Sequence, residues 1–119
     1  MTAQPIRSHV RVGLTPWTSA TSTRDADWMA DVANRAELAD RLGFDSLWLP
    51  ESHFQTRGSC PAPLLLLAAA AARSKSLRLG TSSYLLPIRN PIRVAEDVAV
   101  LDQLSGGRVN LGLGRGFRV

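Results

Sequence analysis

The chain has little with which to cross-link itself or to hold a metal: one cysteine, Cys60, and two histidines, His9 and His53, in 119 residues. A lone cysteine forms no internal disulfide, and this set supplies no structural zinc site. Lysine is nearly absent, Lys75 being the sole example, so the net charge of +4 comes from arginines scattered between Arg7 and Arg118. No basic cluster interleaved with aromatics results, which argues against a nucleic-acid groove. Residues 1–9 lack the apolar centre of a signal peptide, and the longest uncharged apolar run, residues 64–72, is far shorter than the roughly 20 residues a membrane helix needs. These absences point to a cytoplasmic protein without metal, membrane or nucleic-acid partners. The hydrophobic content of 45% is that of a globular domain with a real core.

What is present alternates between strand and helix patterns. Residues 10–14 read as a first strand, ended by Thr15-Pro16, and a Ser/Thr-rich loop follows. Asp25 or Asp27 can cap a helix with Trp28, Val32, Ala36 and Ala39 on one face, widened by Met29, Ala33 and Leu42 and stopped by Gly43. Residues 44–49 give a second strand. Residues 64–72 are apolar all round, which for a helix implies burial on nearly every side, within the fold or against a second subunit. Residues 77–86 give a third strand, ended by Pro87. Asn90 caps a helix that Pro91 opens, with Val94, Ala95, Val98, Ala99, Leu101 and Leu104 on one broad apolar face. Ser105-Gly106-Gly107 stops that helix, and Val109, Leu111 and Leu113 alternate as a fourth strand. Four strands joined by crossover helices fit a doubly wound parallel sheet or the first half of an eight-stranded α/β barrel.

In either architecture a ligand binds at the carboxyl ends of the strands. Those ends deliver Thr15-Pro16-Trp17, then Glu51-Ser52-His53-Phe54, then Thr81-Ser82-Ser83, then residues 112–116. Glu51 and His53 can form a proton-shuttling pair, or they can be a solvated surface loop. Ser82 and Ser83 can be a ligand wall or an ordinary polar strand end. Arg115, set among glycines, can meet a phosphate with two parallel hydrogen bonds or fray at the surface. Trp17 can reach a ring or simply pack. Gly112, Gly114 and Gly116 leave a bare backbone that a flat or anionic ligand can approach, but their spacing misses the dinucleotide fingerprint by one residue. No GxSxG surrounds a serine, and Cys60 has no basic partner nearby in sequence, so a hydrolase nucleophile is unsupported.

Five phrases, in order, resemble the luciferase-like, flavin-dependent monooxygenase family: GFDSLWLPESHF at residues 43–54, LGTSSYLLP at 79–87, NPIRVAEDV at 90–98, LDQLSGGR at 101–108 and GLGRG at 112–116. The resemblance selects the barrel. A complete barrel typically needs about 250 residues, so the chain reads as a single amino-terminal half-barrel domain over residues 1–119, truncated after its fourth strand. Such a half leaves open edges, and it is expected to be marginal by itself.

The resemblance further implies reduced FMN and O2 as the means of oxidising a small organic substrate, with F420 in hydride-transferring relatives. It implies a separate NAD(P)H-linked reductase as the source of reduced flavin. Ser82 and Ser83 align with a non-proline cis peptide packed against the flavin ring, and Gly114 and Arg115 with residues that contact FMN. The family often reads Glu-His-His-Phe where this chain has Glu51-Ser52-His53-Phe54. His53 therefore matches the second histidine, and Ser52 stands where the catalytic base of light-emitting members is found. The proton-transfer role is assigned to His53 with Glu51 in support, and Ser52 is the alternative. A non-catalytic assembly module is the other reading, pairing as a homodimer or with a complementing second half.

Overall fold

The computed structural model describes residues 10–16, 25–55 and 58–116, with side chains from residue 27 onward in the first helix. The elements are β1 (Gly13–Leu14), α1 (Asp25–Arg41), β2 (Ser46–Leu49), α2 (Pro63–Arg73), β3 (Arg78–Thr81), β4 (Tyr84–Leu85), a 3-10 turn (Leu86–Ile88), α3 (Pro91–Ser105), β5 (Val109–Asn110) and β6 (Leu113–Gly114). One sheet runs in the order β1-β2-β3-β5, and every pairing in it is parallel. Strands laid down one beside the next, in chain order, follow the rule of a barrel. A doubly wound sheet would reverse direction from an inner strand. The structure thus decides between the two architectures the pattern left open.

The helical and strand periods explain the core. In α1 the residues at helical spacing, Trp28, Val32, Ala36 and Ala39, are all buried. In β2 the alternation sends Leu47 and Leu49 outward into the helix layer, where they meet Leu67, Ala70, Leu77 and Leu79. Each fully buried leucine contributes about 1.5–3 kcal/mol relative to exposure. The opposite, inner face carries Ser46 and Trp48. The indole lies across Gly13 and Gly80, where an added Cβ would collide with its ring, and its Nε1 donates to Ser46 Oγ at 2.8 Å.

Two polar hubs tie the helix layer to the strands. Arg108 donates through Nη1 to Ser74 Oγ (2.9 Å) and Leu77 O (2.8 Å), through Nη2 to Ala71 O (3.1 Å) and through Nε to Ser105 O (2.6 Å), so it caps the carboxyl ends of both α2 and α3. The Asp40 carboxylate accepts from Lys75 N (2.6 Å) and from Ser76 N and Oγ (3.2 and 2.5 Å), which fixes the turn from α2 to β3 against the end of α1. Burial opposes the charge of Asp40, but the hydrogen bonds from residues 75–77 outweigh it and hold the carboxyl below its ordinary value.

Several elements differ from the sequence expectation. The first strand is short because Val12 N donates to the Asp45 side chain at 2.7 Å, while its carbonyl accepts from Asp45 N. The third and fourth strands each break in two. At the break, Thr81 Oγ1 donates to Gly112 O (2.9 Å) and accepts from Gly112 N (3.0 Å), so a side chain occupies the place of a ladder rung. The chains pair again in parallel as β4 and β6. Leu42 is 66% exposed because α1 ends before it and Gly43 turns at positive φ.

Nor is α2 buried all round: Pro63, Leu67, Ala70 and Ala71 face inward, but Leu65 is 74% exposed. Asn90 caps α3 by accepting from Ile92 N and Arg93 N, with Pro91 in the first turn and Gly106 left-handed at the end, as its sequence predicts. Its inward residues are Val94, Leu101 and Ser105, a narrower stripe than expected, and Val100 and Leu104 stay exposed. Among the described residues no helix is long and apolar enough to cross a membrane.

Candidate functional site

At the carboxyl ends of the strands lies an open cavity of about 830 Å³. Pro50 and Glu51 form its wall after β2, Ser82 and Ser83 after β3, Leu85 in β4, and Gly114, Arg115 and Gly116 at the end of β6. The parallel sheet therefore brings Glu51, Ser82, Ser83, Gly114 and Arg115 to one mouth although they are far apart in sequence. The peptide between Ser82 and Ser83 is cis, at the bond the alignment of motifs predicts. A second hollow of about 430 Å³, lined by Gly13, Thr15, Trp48, Pro50 and Ser82, adjoins the first along the inner face. Trp17 lies outside the described residues.

His53 is not on the cavity wall. It sits behind Glu51, with Nε2 2.6 Å from Glu51 Oε1. The Glu51 side chain has no exposure, and that of His53 is 27% exposed. Arg89 Nη1 forms an ion pair with Oε1 at 2.6 Å, and Oε2 accepts from Leu85 N at 2.8 Å. The carboxylate is thus a buried acceptor that fastens the end of β2 to residues 85–89, and it is suited to orienting an imidazole. Arg89 escaped the sequence reading. Its partner is far away in the chain, and the sole signal was an arginine directly before a helix cap.

Ser52 belongs to the neighbouring loop. Its Oγ accepts from Cys60 N (3.1 Å) and donates to Gly58 O (3.3 Å), and its backbone bridges Cys60, so it ties the end of β2 to residues 58–60. Phe54 follows at φ 54°, fully exposed, its ring 6.1 Å from that of His53. Cys60 is fully buried, and burial together with the nearby Glu51 charge pushes its thiol up to about 12, which makes it a poor nucleophile.

Gly114 and Gly116 line the cavity, and Gly112 and Gly114 also serve the packing between strands. An added Cβ at Gly112 would enter the Thr81 carbonyl, and one at Gly114 would enter the Ser83 hydroxyl. Both positions are glycine so that the neighbouring strand can approach. Gly116, at φ 84°, has room beside Leu85. Arg115 is exposed on the wall, and among the described residues no hydrogen bond or ion pair holds its guanidinium.

A parallel, sequentially ordered α/β sheet with a cavity at its carboxyl ends places the chain among barrel-type α/β proteins. Residues 10–119 match the model of the luciferase-like monooxygenase family, and the chain belongs to that family. It is 42% identical over 81 residues to 4-hydroxyprotoasukamycin monooxygenase of Streptomyces nodosus subsp. asukaensis, covering 68% of this chain and 22% of that one. The oxygenating constituent of 3,6-diketocamphane monooxygenase from Pseudomonas putida, solved in complex with FMN, superposes with a TM-score of 0.84 at 29% identity, over 92% of this chain and 30% of that one. A coenzyme F420-dependent tetrahydromethanopterin reductase from Methanopyrus kandleri gives 0.65 at 25% identity, over 89% and 26%. Structural relatives thus bind FMN or F420. The chain spans about a quarter of the length of the curated relatives it matches.

Proposed function

We propose that the protein is a flavin-dependent monooxygenase that uses reduced FMN and O2 to oxidise a small organic substrate, and that these residues form one side of its flavin site. The observation that carries this reading is the meeting of Ser82, Ser83, Gly114 and Arg115 around one cavity backed by the buried carboxylate of Glu51 and its partner His53. The residues fit FMN. Arg115 offers a free guanidinium for the phosphate, and the close packing of Gly114 on Ser83 makes a flat main-chain wall for a ring. Bound FMN supplies the electron transfer and oxygen activation that side chains lack. Arg115 would hold the phosphate end, Ser82 and Ser83 would lie beside the ring, and Leu85 would keep one edge apolar against water. Glu51, the member of the pair that lines the cavity, orients His53, and the pair moves the proton. The reduced cofactor comes from a separate NAD(P)H-linked reductase. F420 with hydride transfer is the alternative on this wall, since one structural relative is an F420-dependent reductase.

The exposed apolar groove of about 560 Å³ between α2 and α3, with Leu64, Leu65, Val100 and Leu104, favours a second reading in which the chain also serves assembly, as a homodimer or with a complementing half. Fluorescence titration with FMN, together with the mass in solution, tests both. Micromolar binding supports the flavin site, and Arg115→Ala should weaken it by about 1–3 kcal/mol, the scale of a charged hydrogen-bond pair. Unchanged affinity removes Arg115 from the site. A discrete dimer without FMN binding up to millimolar concentration supports the assembly reading alone.

A further inference from the structure

We infer that the hollow above Trp48 is a ring-binding subsite, which takes a flat, uncharged ring system and stops it at the indole. The hollow shares Pro50 and Ser82 with the cavity assigned to flavin. A ring seated there is therefore the flavin's own or that of a substrate lying beside it, and only this identification rests on the flavin reading.

The room is built into the sequence. A barrel interior is normally filled by successive layers of side chains, mostly bulky and branched. Inward-facing positions alternate along each strand, so Gly13 and Thr15 belong to the first, Ser46, Trp48 and Pro50 to the second, and Gly80 and Ser82 to the third. The middle layer holds one large group, the indole, and it is fixed. A Cβ at Gly80 would meet its Cδ2, Cε3 and Cζ3 together, so Gly80 lies under the ring face and not at its edge, and one at Gly13 would meet Nε1 and Cδ1. The layer above consists of Thr15, Pro50 and Ser82, which are too small to close the space, and about 430 Å³ stays open. That falls within the range of about 300–1,000 Å³ for small-molecule sites.

The lining selects by chemistry. It is made of Gly13, Leu14, Thr15, Trp48, Pro50 and Ser82, none of them ionisable. The charged groups of the inner face, Arg11, Asp45 and Arg78, surround a separate hollow of about 320 Å³ on the amino-end side of the same indole. Trp48 thus divides a charged compartment from a neutral one. Its nitrogen donates to Ser46 Oγ at 2.8 Å, so toward the upper hollow it offers carbon alone. Among the described residues the hydroxyls of Thr15 and Ser82 have no hydrogen-bond partner, which leaves both for a polar group on the rim of a ring. A charge brought into this space would find nothing to compensate it, whereas a flat neutral ring meets an aromatic and a proline surface.

Fluorine NMR of the chain carrying 5-fluorotryptophan tests this, with Trp48→Phe identifying the Trp48 signal. Lumichrome, the flavin ring without its phosphate chain, and 2-naphthol should each shift that signal saturably and leave in place the signal of Trp28, which is buried in the helix layer. 2-Naphthoate, of the same ring but charged, should bind more weakly by about tenfold or more. A Trp48 signal that no ring moves, or naphthoate binding as tightly as naphthol, overturns the inference. Thr15→Phe, at an exposed position on the wall, should fill the hollow and weaken both neutral rings by about tenfold or more, read from lumichrome fluorescence. Unchanged affinity in that variant overturns the inference, and it decides by itself if Trp48→Phe does not fold. FMN then separates the two sources. If it moves the Trp48 signal and displaces 2-naphthol, the ring is the flavin's; if 2-naphthol still binds beside it, the ring is a substrate's. Free rings that bind where FMN does not would end the flavin reading and leave the subsite standing, and FMN binding with no ring reaching Trp48 would do the reverse.

Discussion

The two faces of the four-stranded sheet come from the same short alternating segments, yet they solve opposite problems. Toward the helices, Leu47, Leu49, Leu77 and Leu79 are fully buried, and close packing of aliphatic side chains holds the layer. Toward the inside, the same strands carry Ser46, Trp48 and Gly80, and a single indole covers what several side chains cover on the other face. Beyond the strand ends the inner side gives way to Ser82, Ser83, Gly114 and Arg115 around an open cavity. The outer face is specified by volume. The inner one is specified by the absence of side chains and by polar atoms placed through main-chain contacts.

This contrast can be broken or sharpened. The largest effect is expected outside: Leu79→Ala should lower stability by about 2–5 kcal/mol in urea unfolding, the range for truncating a buried leucine. A loss below about 1 kcal/mol would mean that the helix layer does not dominate. Next comes Gly114→Ala, whose added methyl must displace Ser83. It should cost about 1–3 kcal/mol as an overpacked contact, and Ser83→Gly in the same chain should recover part of that. An unchanged midpoint would show that the two strands do not meet so closely.

A smaller effect belongs to the polar hub of the outer layer. Asp40→Asn should cost about 1–2 kcal/mol near neutral pH, through loss of charge-assisted hydrogen bonds. Because the folded carboxyl titrates below its ordinary value of 3.8, its contribution is present above that value and is lost as pH falls through the lowered one. The gap between Asp40→Asn and wild type should therefore hold near neutral pH and narrow only on acidification below the ordinary value of 3.8, and a gap that does not narrow there would contradict the hub. Smallest is a chemical test: Cys60 should resist thiol reagents in the folded chain and react only on unfolding.

Much of this architecture could be read from the residues, for identifiable reasons. The stripe of Trp28, Val32, Ala36 and Ala39 has one period and one partner, and the Asn90-Pro91 start of α3 is a local hydrogen-bonding matter. The gathering of Glu51, Ser82, Ser83 and Arg115 followed from parallel strands alone. What escaped depends on distant partners. Thr81 gives no local hint that its hydroxyl will take a rung of the ladder opposite Gly112, and so two strands became four. Arg89 and Glu51 are joined only by the fold. The apolar surfaces of α2 and α3 showed that burial was favoured, without saying which neighbour would provide it, and Leu65, Val100 and Leu104 stay exposed.

Trp48 carries one further consequence. Its ring spans the space above Gly13 on one neighbour and Gly80 on the other, and its nitrogen is anchored by Ser46. Those four positions share a fixed volume, so none is free to change alone. A side chain added at residue 13 or 80 would need a smaller group at 48, and a smaller group at 48 would open the floor of the hollow beside Thr15 and Ser82. The depth available to a bound molecule is thereby coupled to the identity of Gly80, which lies off the hollow's wall, as well as to that of Gly13, which lines it.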